Sequence, residues 1–231
     1  MFLISLRIGR ATGGMSLDLI GTFKSFMKAS ESVVGIILAG GLARRMGGGD
    51  KCLLPLAGKT LLQRTIDRAN PQVHQLLLNA NGNSLRFART RLPVVADVFA
   101  NNLGPLAGIH AGLHWIEAHN PKAEWLVSFA SDTPFFPENL TEALLGAAGS
   151  AKLVVATSKL KLHPVFALWH ISLKTEIEAI LQTGEAPRLQ DWIKAQGALE
   201  VDFPADTYDP FFNINTPQDL YAAEPISALV K

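Results

Sequence analysis

The stretch VVGIILAGGLARRMGGGDKCLLPLAGKT, residues 33–60, decides how the rest of the chain is read. It opens with a continuous apolar run, VVGIIL (33–38). Such a run suits a strand covered on both faces of a parallel sheet better than one with an alternating pattern. A loop follows with Gly40, Gly41, Gly47, Gly48 and Gly49, and with the cations Arg44, Arg45 and Lys51. Glycines let the backbone turn sharply and approach a ligand closely. Successive exposed N–H groups can cradle phosphate oxygens. Arginine adds a bidentate grip and lysine a point charge. The competing reading is a flexible surface loop of solvated cations. The density of glycine and positive charge directly after a buried strand favours an anion site for a polyphosphate.

Neither common phosphate-loop fingerprint applies. Gly58-Lys59-Thr60 supplies the second half of a Walker A motif, but Leu53 stands where the first glycine is needed. Gly47 and Gly49 match two positions of the dinucleotide pattern, and Cys52 occupies the third.

Working outward, VHQLLLN (73–79), LPVVAD (92–97), EWLVSFASD (124–132) and KLVVATS (152–158) read as further strands. TLLQRTIDRA, PLAGIHAGLHWIEAH and PENLTEALLGAA read as helices, with Thr60 as an N-cap and Pro137 in a first turn. Beyond His163 come HPVFALW, the helix SLKTEIEAILQ, then ALEVDF and FFNINTPQDLYAA. Strands alternating with helices predict an α/β fold, a three-layer sandwich around a mostly parallel central sheet. Ligands on such sheets lie outside the carboxyl ends of the strands. Asp97, Asp132 and Asn79 all fall at predicted strand ends. Asp132 could hold Mg²⁺, which usually takes one or two carboxylates plus substrate phosphates. Asn79 could bond ribose or base through its amide. For each aspartate the alternative is a turn or helix cap. Asn81 and Asn83 read as turn formers.

At 231 residues, 48% hydrophobic and 18% charged, the chain can build a sizeable core. No linker divides it after residue 33, so residues 33–231 are expected to form one domain. The segment 1–32 reads as an extension or a misplaced start, since Met15 and Met27 lie within it. A net charge of +1 gives no global pull toward nucleic acid or an anionic membrane. No apolar run is long enough to span a bilayer. The single cysteine, Cys52, fits a reducing cytoplasm and reads as a packed side chain. His110 and His114 have the i, i+4 spacing of helix metal ligands, but no third ligand is evident in the sequence, so they read as helix-surface residues. The tryptophans read as packing residues.

The order of motifs carries a resemblance. LAGGLARRMGGGDK (38–51), NAN (79–81), GPLAG (104–108), SDTPF (131–135), HPVFAL (163–168) and FFNINTPQDL (211–220) together resemble the nucleotidyltransferases of the glycosyltransferase-A-like superfamily. Within it they are similar to the molybdenum cofactor guanylyltransferase family. Cys52 and Pro55 depart from the family pattern, which has Gly and a polar or acidic residue there. The resemblance implies transfer of GMP from GTP to molybdenum-molybdopterin. It implies Mg²⁺ on Asp132, catalytic roles for Arg45, Lys51 and Asp132, and a GTP site drawing on Leu38, Ala39, Gly40, Gly41, Lys51, Asn79, Asp97 and Asp132. His163, Asn213 and Asn215 would face the molybdopterin side. Handing on the cofactor implies contact with molybdoenzymes or their chaperones. Three alternatives stay open at this point: cytidylyl transfer to the same cofactor, a sugar-phosphate nucleotidyltransferase, and a nucleotide-binding regulator without catalysis.

Overall fold

The computed structural model describes residues 32–40, 49–100 and 103–230. Gly41, Arg44, Arg45 and the segment 1–31 lie outside them. Nine strands are described: β1 (Val33–Leu38), β2 (Pro55–Leu56), β3 (Lys59–Thr60), β4 (Gln75–Asn79), β5 (Val94–Val95), β6 (Trp125–Ala130), β7 (Leu153–Ser158), β8 (Lys161–His170) and β9 (Leu199–Asp202). Six helices accompany them: α1 (Leu61–Ala69), α2 (Pro105–His119), α3 (Leu140–Ala148), α4 (Lys174–Gln182), α5 (Leu189–Ala195) and α6 (Pro217–Leu229).

β2 and β3 form a small hairpin; the other seven strands form one sheet in the order β5-β4-β1-β6-β8-β7-β9. β1 pairs in parallel with β4 and β6, β4 with β5, and β7 with β9. β8 alone runs against its neighbours β6 and β7. The mostly parallel sheet is as the sequence predicts. The long reversed strand after Leu160 is not announced by HPVFALW. It enters by a tight hairpin in which Lys159 and Leu160 both have positive φ, 48° and 62°. Neither is Gly, Asn or Asp, the usual occupants of such a turn, so the sequence carries no turn signal there.

β1 explains why both sheet faces are covered. Val33 and Ile37 point into one core, Val34 and Ile36 into the other. The first core packs α1 (Leu62, Ile66) and α3 (Leu140, Leu144) against the sheet. The second packs α2 (Leu106, Ile109, Leu113), α4 (Ile177, Leu181) and α5 (Trp192, Ile193) against the opposite face. This is the three-layer arrangement. Trp169 and Trp192 are buried and stack at 5.9 Å, as packing residues. A third small cluster, with Leu56, Leu61, Phe135, Ile214 and Ala223, seats α6 beside the β2–β3 hairpin.

Two local expectations need correction. The helix expected from Pro137 starts at Leu140, with Asn139 as N-cap; Pro137 instead accepts a hydrogen bond from Leu140 in the preceding turn. His110 is not on the surface: it is fully buried between α2 and α4, whereas His114 is exposed. Burial lowers the His110 pKa, opposed by Glu178 at 3.9 Å. The face of α2 that carries His110 is covered by α4, 64 or more residues further along the chain.

Candidate functional site

Six of the seven strands end at one edge of the sheet, and β8 begins there. Leu38, Asn79 and Ala130 stand level in register at this edge. Three chain segments converge just beyond them.

Lys51 leads a short 3-10 turn, Lys51–Leu53, closed by bonds from Leu53 N to Asp50 O and from Leu54 N to Lys51 O. Its side chain is nearly buried. The Lys51 ammonium donates to Asp132 Oδ2 at 2.5 Å and to Asn215 Oδ1 at 2.6 Å. Asp132 lies in the turn two residues beyond β6. Its Oδ1 accepts from the Thr133 hydroxyl, and its main-chain carbonyl accepts from Ile214 N at 2.9 Å. Asn215 is held by a capping box on α6. The Asp219 carboxylate accepts from Asn215 N and Thr216 N, while Thr216 Oγ1 accepts from Asp219 N. The bond from Asn215 N is the chief cause that holds the Asp219 carboxyl below the usual carboxylate range. A cation, a carboxylate and an amide, brought together from positions 51, 132 and 215, thus form one polar cluster. Removing one member of such a pair would leave the other charge poorly solvated.

Beside it stands a second cluster. Asn79, buried at the end of β4, donates through Nδ2 to Val95 O and to Asp97 Oδ1 at 2.9 Å. Asn81 is no mere turn former. Its Nδ2 reaches Asp97 Oδ2 at 2.7 Å and its Oδ1 accepts from Asp97 N. Asn83 does cap the following 3-10 turn, as expected. Both oxygens of Asp97 keep lone pairs for a further donor. GPLAG has two separate jobs here. Gly104 adopts φ +76° at the N-cap of α2, a conformation that side chains resist. Gly108 lets α2 approach Asn79: a Cβ at that position would lie 2.4 Å from Asn79 Oδ1.

The remaining predicted residues fall as follows. Leu38 is half-buried at the end of β1 and accepts from Ser131 N through its carbonyl. Ala39 N–H already donates to Asn79 O, so it is committed within the fold. Gly40 is exposed, and a Cβ there would meet nothing within 4 Å among the described residues. His163 points inward. It is 7% exposed, bonded through Nε2 to Ser158 Oγ at 2.8 Å and stacked on Phe211 at 4.1 Å. Burial pushes its pKa down to about 4. Asn213 is exposed. Asn215 accepts from Lys51. Cys52 is buried, and burial together with the nearby Asp50 carboxylate pushes its thiol up to about 12, which keeps it inert.

Sequence reasoning missed Asn81 and Asp219. The Thr216-to-Asp219 spacing of a capping box was a readable signal. Nothing in the sequence pairs Asn81 with Asp97.

Among the described residues, no group of three His, Cys, Asp or Glu side chains is arranged to hold a metal. A partly exposed Asp132 at the strand edge fits Mg²⁺ held by one carboxylate plus phosphate oxygens. No helix of the described residues is long and apolar enough to cross a membrane.

Residues 35–199 match the model of the MobA-like NTP transferase domain. Over 194 residues the chain is 45% identical to a molybdenum cofactor guanylyltransferase of Rhodopseudomonas palustris, covering 83% of this chain and 92% of that one. The molybdopterin-guanine dinucleotide biosynthesis protein A of Archaeoglobus fulgidus superposes with a TM-score of 0.65 at 23% identity, covering 85% of this chain and 99% of that one. A Mycobacterium tuberculosis protein crystallised with manganese superposes at 0.57 with 16% identity, covering 84% and 98% of the two chains. The last two establish likeness of fold.

Proposed function

We propose that this chain, which belongs to the MobA-like NTP transferase family, transfers GMP from GTP to molybdenum-molybdopterin in the cytoplasm, releasing pyrophosphate. The observation that carries the reading is the convergence of Lys51 on Asp132 and Asn215 at the carboxyl edge of the sheet. The choice of guanine and of molybdopterin is supported by relatives of 42–45% identity that bear the molybdenum cofactor guanylyltransferase name.

In this reading the terminal phosphate of molybdopterin attacks the α-phosphorus of GTP. The new bond joins that phosphate oxygen to the α-phosphorus, and the bond from the α-phosphorus to the α,β-bridging oxygen breaks. A phosphate monoester is largely ionised at pH 7, so attack needs no strong general base from the protein. Asp132 would hold Mg²⁺, which when bound neutralises charge on the reacting and leaving phosphates. Lys51 contributes a second positive charge to the same phosphates, and its contacts with Asp132 and Asn215 fix where that charge lies. Asn79 and Asp97, oriented by Asn81, lie on the nucleoside side. The Gly40 amide approaches the phosphates; Gly41 and Arg45, which follow it in sequence, are assigned to the same site by the family resemblance. Catalysis is then chiefly positioning and charge neutralisation.

The test is a competition of GTP against CTP with Mg²⁺ and purified molybdenum-molybdopterin, read by the mass of the dinucleotide formed and by pyrophosphate release. Guanine dinucleotide should dominate. Preferential cytidylyl transfer, or no pyrophosphate with either nucleotide, would overturn the reading.

A further inference from the structure

We infer that Arg86 is a positioning residue, a guanidinium strap tying the phosphate end of the nucleotide site to its nucleoside end; this rests on the guanylyltransferase reading of that site. Arg86 lies in the 3-10 segment Ser84–Thr90, five residues beyond Asn81 and far along the chain from Asp50. Its Nε forms an ion pair with Asp50 Oδ2 at 2.8 Å. Its Nη1 donates to Asn83 O at 2.6 Å and its Nη2 to Asn81 O at 2.7 Å. The guanidinium carbon stands 4.5 Å from the ring centre of Phe87, which is itself buried in the core.

Asp50 and Asn81 belong to different parts of the site. Asp50 precedes Lys51, and its carbonyl closes the turn that presents the Lys51 ammonium. Asn81 grips Asp97 by both its backbone N–H and its carboxylate. One planar group therefore links Lys51, through Asp50, to Asp97 and Asn79, through Asn81. Asp50 and Asn81 both lie outside the strands of the sheet. Arginine donates to two carbonyls from one planar fork while its charge faces Asp50; the compact ammonium of lysine lacks that span. Arg86 and Asp50 are 28% and 18% exposed, which limits solvent screening of the pair.

A strap of this kind lowers the ordering cost that GTP binding would otherwise carry. Its loss should therefore appear in nucleotide affinity more than in the rate of the chemical step. The experiment is calorimetric titration of the full chain with GTP and Mg²⁺, with KM and kcat read in parallel. The variants are Arg86→Gln, Arg86→Lys, Asp50→Asn, the double variant of Asp50→Asn with Arg86→Gln, and Lys51→Ala. Arg86→Gln should weaken GTP binding about five- to tenfold, with kcat within about twofold. Arg86→Lys should fall between it and the wild type. The double variant should be no worse than Arg86→Gln alone, because the two side chains act as one unit. A residue that only supports the fold would lower the melting temperature without that non-additivity in GTP affinity. Should Arg86→Gln fail to fold, GTP affinity of Arg86→Lys and Asp50→Asn decides the matter. If Lys51→Ala weakens GTP while these variants bind within about twofold of wild type, or if the two losses simply add, the strap is overturned. If Lys51→Ala also binds as wild type, the site reading itself falls.

Discussion

Replacing Gly108 by alanine sets two effects of known size against each other. In a helix interior alanine is favoured over glycine by about 1 kcal/mol. At Gly108, however, the added Cβ would lie 2.4 Å from Asn79 Oδ1 and 2.9 Å from both Asn79 Cγ and Leu38 Cδ2. The Asn79 amide cannot swing aside without giving up its bonds to Val95 O and Asp97. Overpacking of this kind costs about 1–3 kcal/mol, and each lost amide hydrogen bond about 1 kcal/mol more. The clash should win by about 2 kcal/mol, lowering the melting temperature by about 4–8 °C in a protein of this size. Gly146 provides the control. It is exposed within α3, and a Cβ there would meet nothing within 4 Å. Gly146→Ala should raise the melting temperature by about 1–4 °C. Thermal unfolding of both variants, with GTP titration, checks the contrast. Gly108→Ala should also lose GTP affinity, because displacing Asn79 frees Asp97. If Gly108→Ala is as stable as Gly146→Ala and binds GTP like the wild type, Asn79 is not held as argued.

Two further outcomes follow from the β7–β8 hairpin. The folded pKa of His163 lies near 4, below its unfolded value, so the unfolded chain binds the extra proton first as pH drops. Stability from this residue is full above about pH 6.5 and falls toward pH 4 by up to about 1.4 kcal/mol per pH unit. His163→Gln should flatten that part of the stability profile measured by chemical denaturation; an unchanged slope would refute the assignment. At the tip, Lys159 and Leu160 hold positive φ, and Leu160 is fully exposed, so replacing them by Asn-Gly sacrifices no packing. That variant should gain about 1 kcal/mol and melt about 2–4 °C higher.

What could be read in the sequence follows its physics. Doubly covered parallel strands are apolar throughout, so β1, β4, β6 and β7 stand out as runs, and their ends point to the edge where a ligand belongs. Asp132, Asn79 and Asp97 are legible on that ground, and Lys51 by its place after the glycine loop. β8 escapes because HPVFALW follows a turn built from Lys and Leu, which carry no turn preference. The burial of His110 escapes because α4 covers it from far along the chain. The same holds for Lys51 with Asn215, whose contact spans 164 positions, and for Arg86 with Asp50. Periodicity reports which face an element buries, but it does not say which distant polar group will meet another.

The most direct test of the whole account is the rate of pyrophosphate release by Asp132→Asn, measured with GTP, Mg²⁺ and molybdenum-molybdopterin at saturation. The substitution keeps the shape of the side chain and the bond to Lys51 but removes the charge that would hold the metal and orient the lysine. The account predicts a loss of about a thousandfold or more. A rate within about tenfold of the wild type would contradict it, and would move the chemistry away from the Lys51–Asp132–Asn215 cluster.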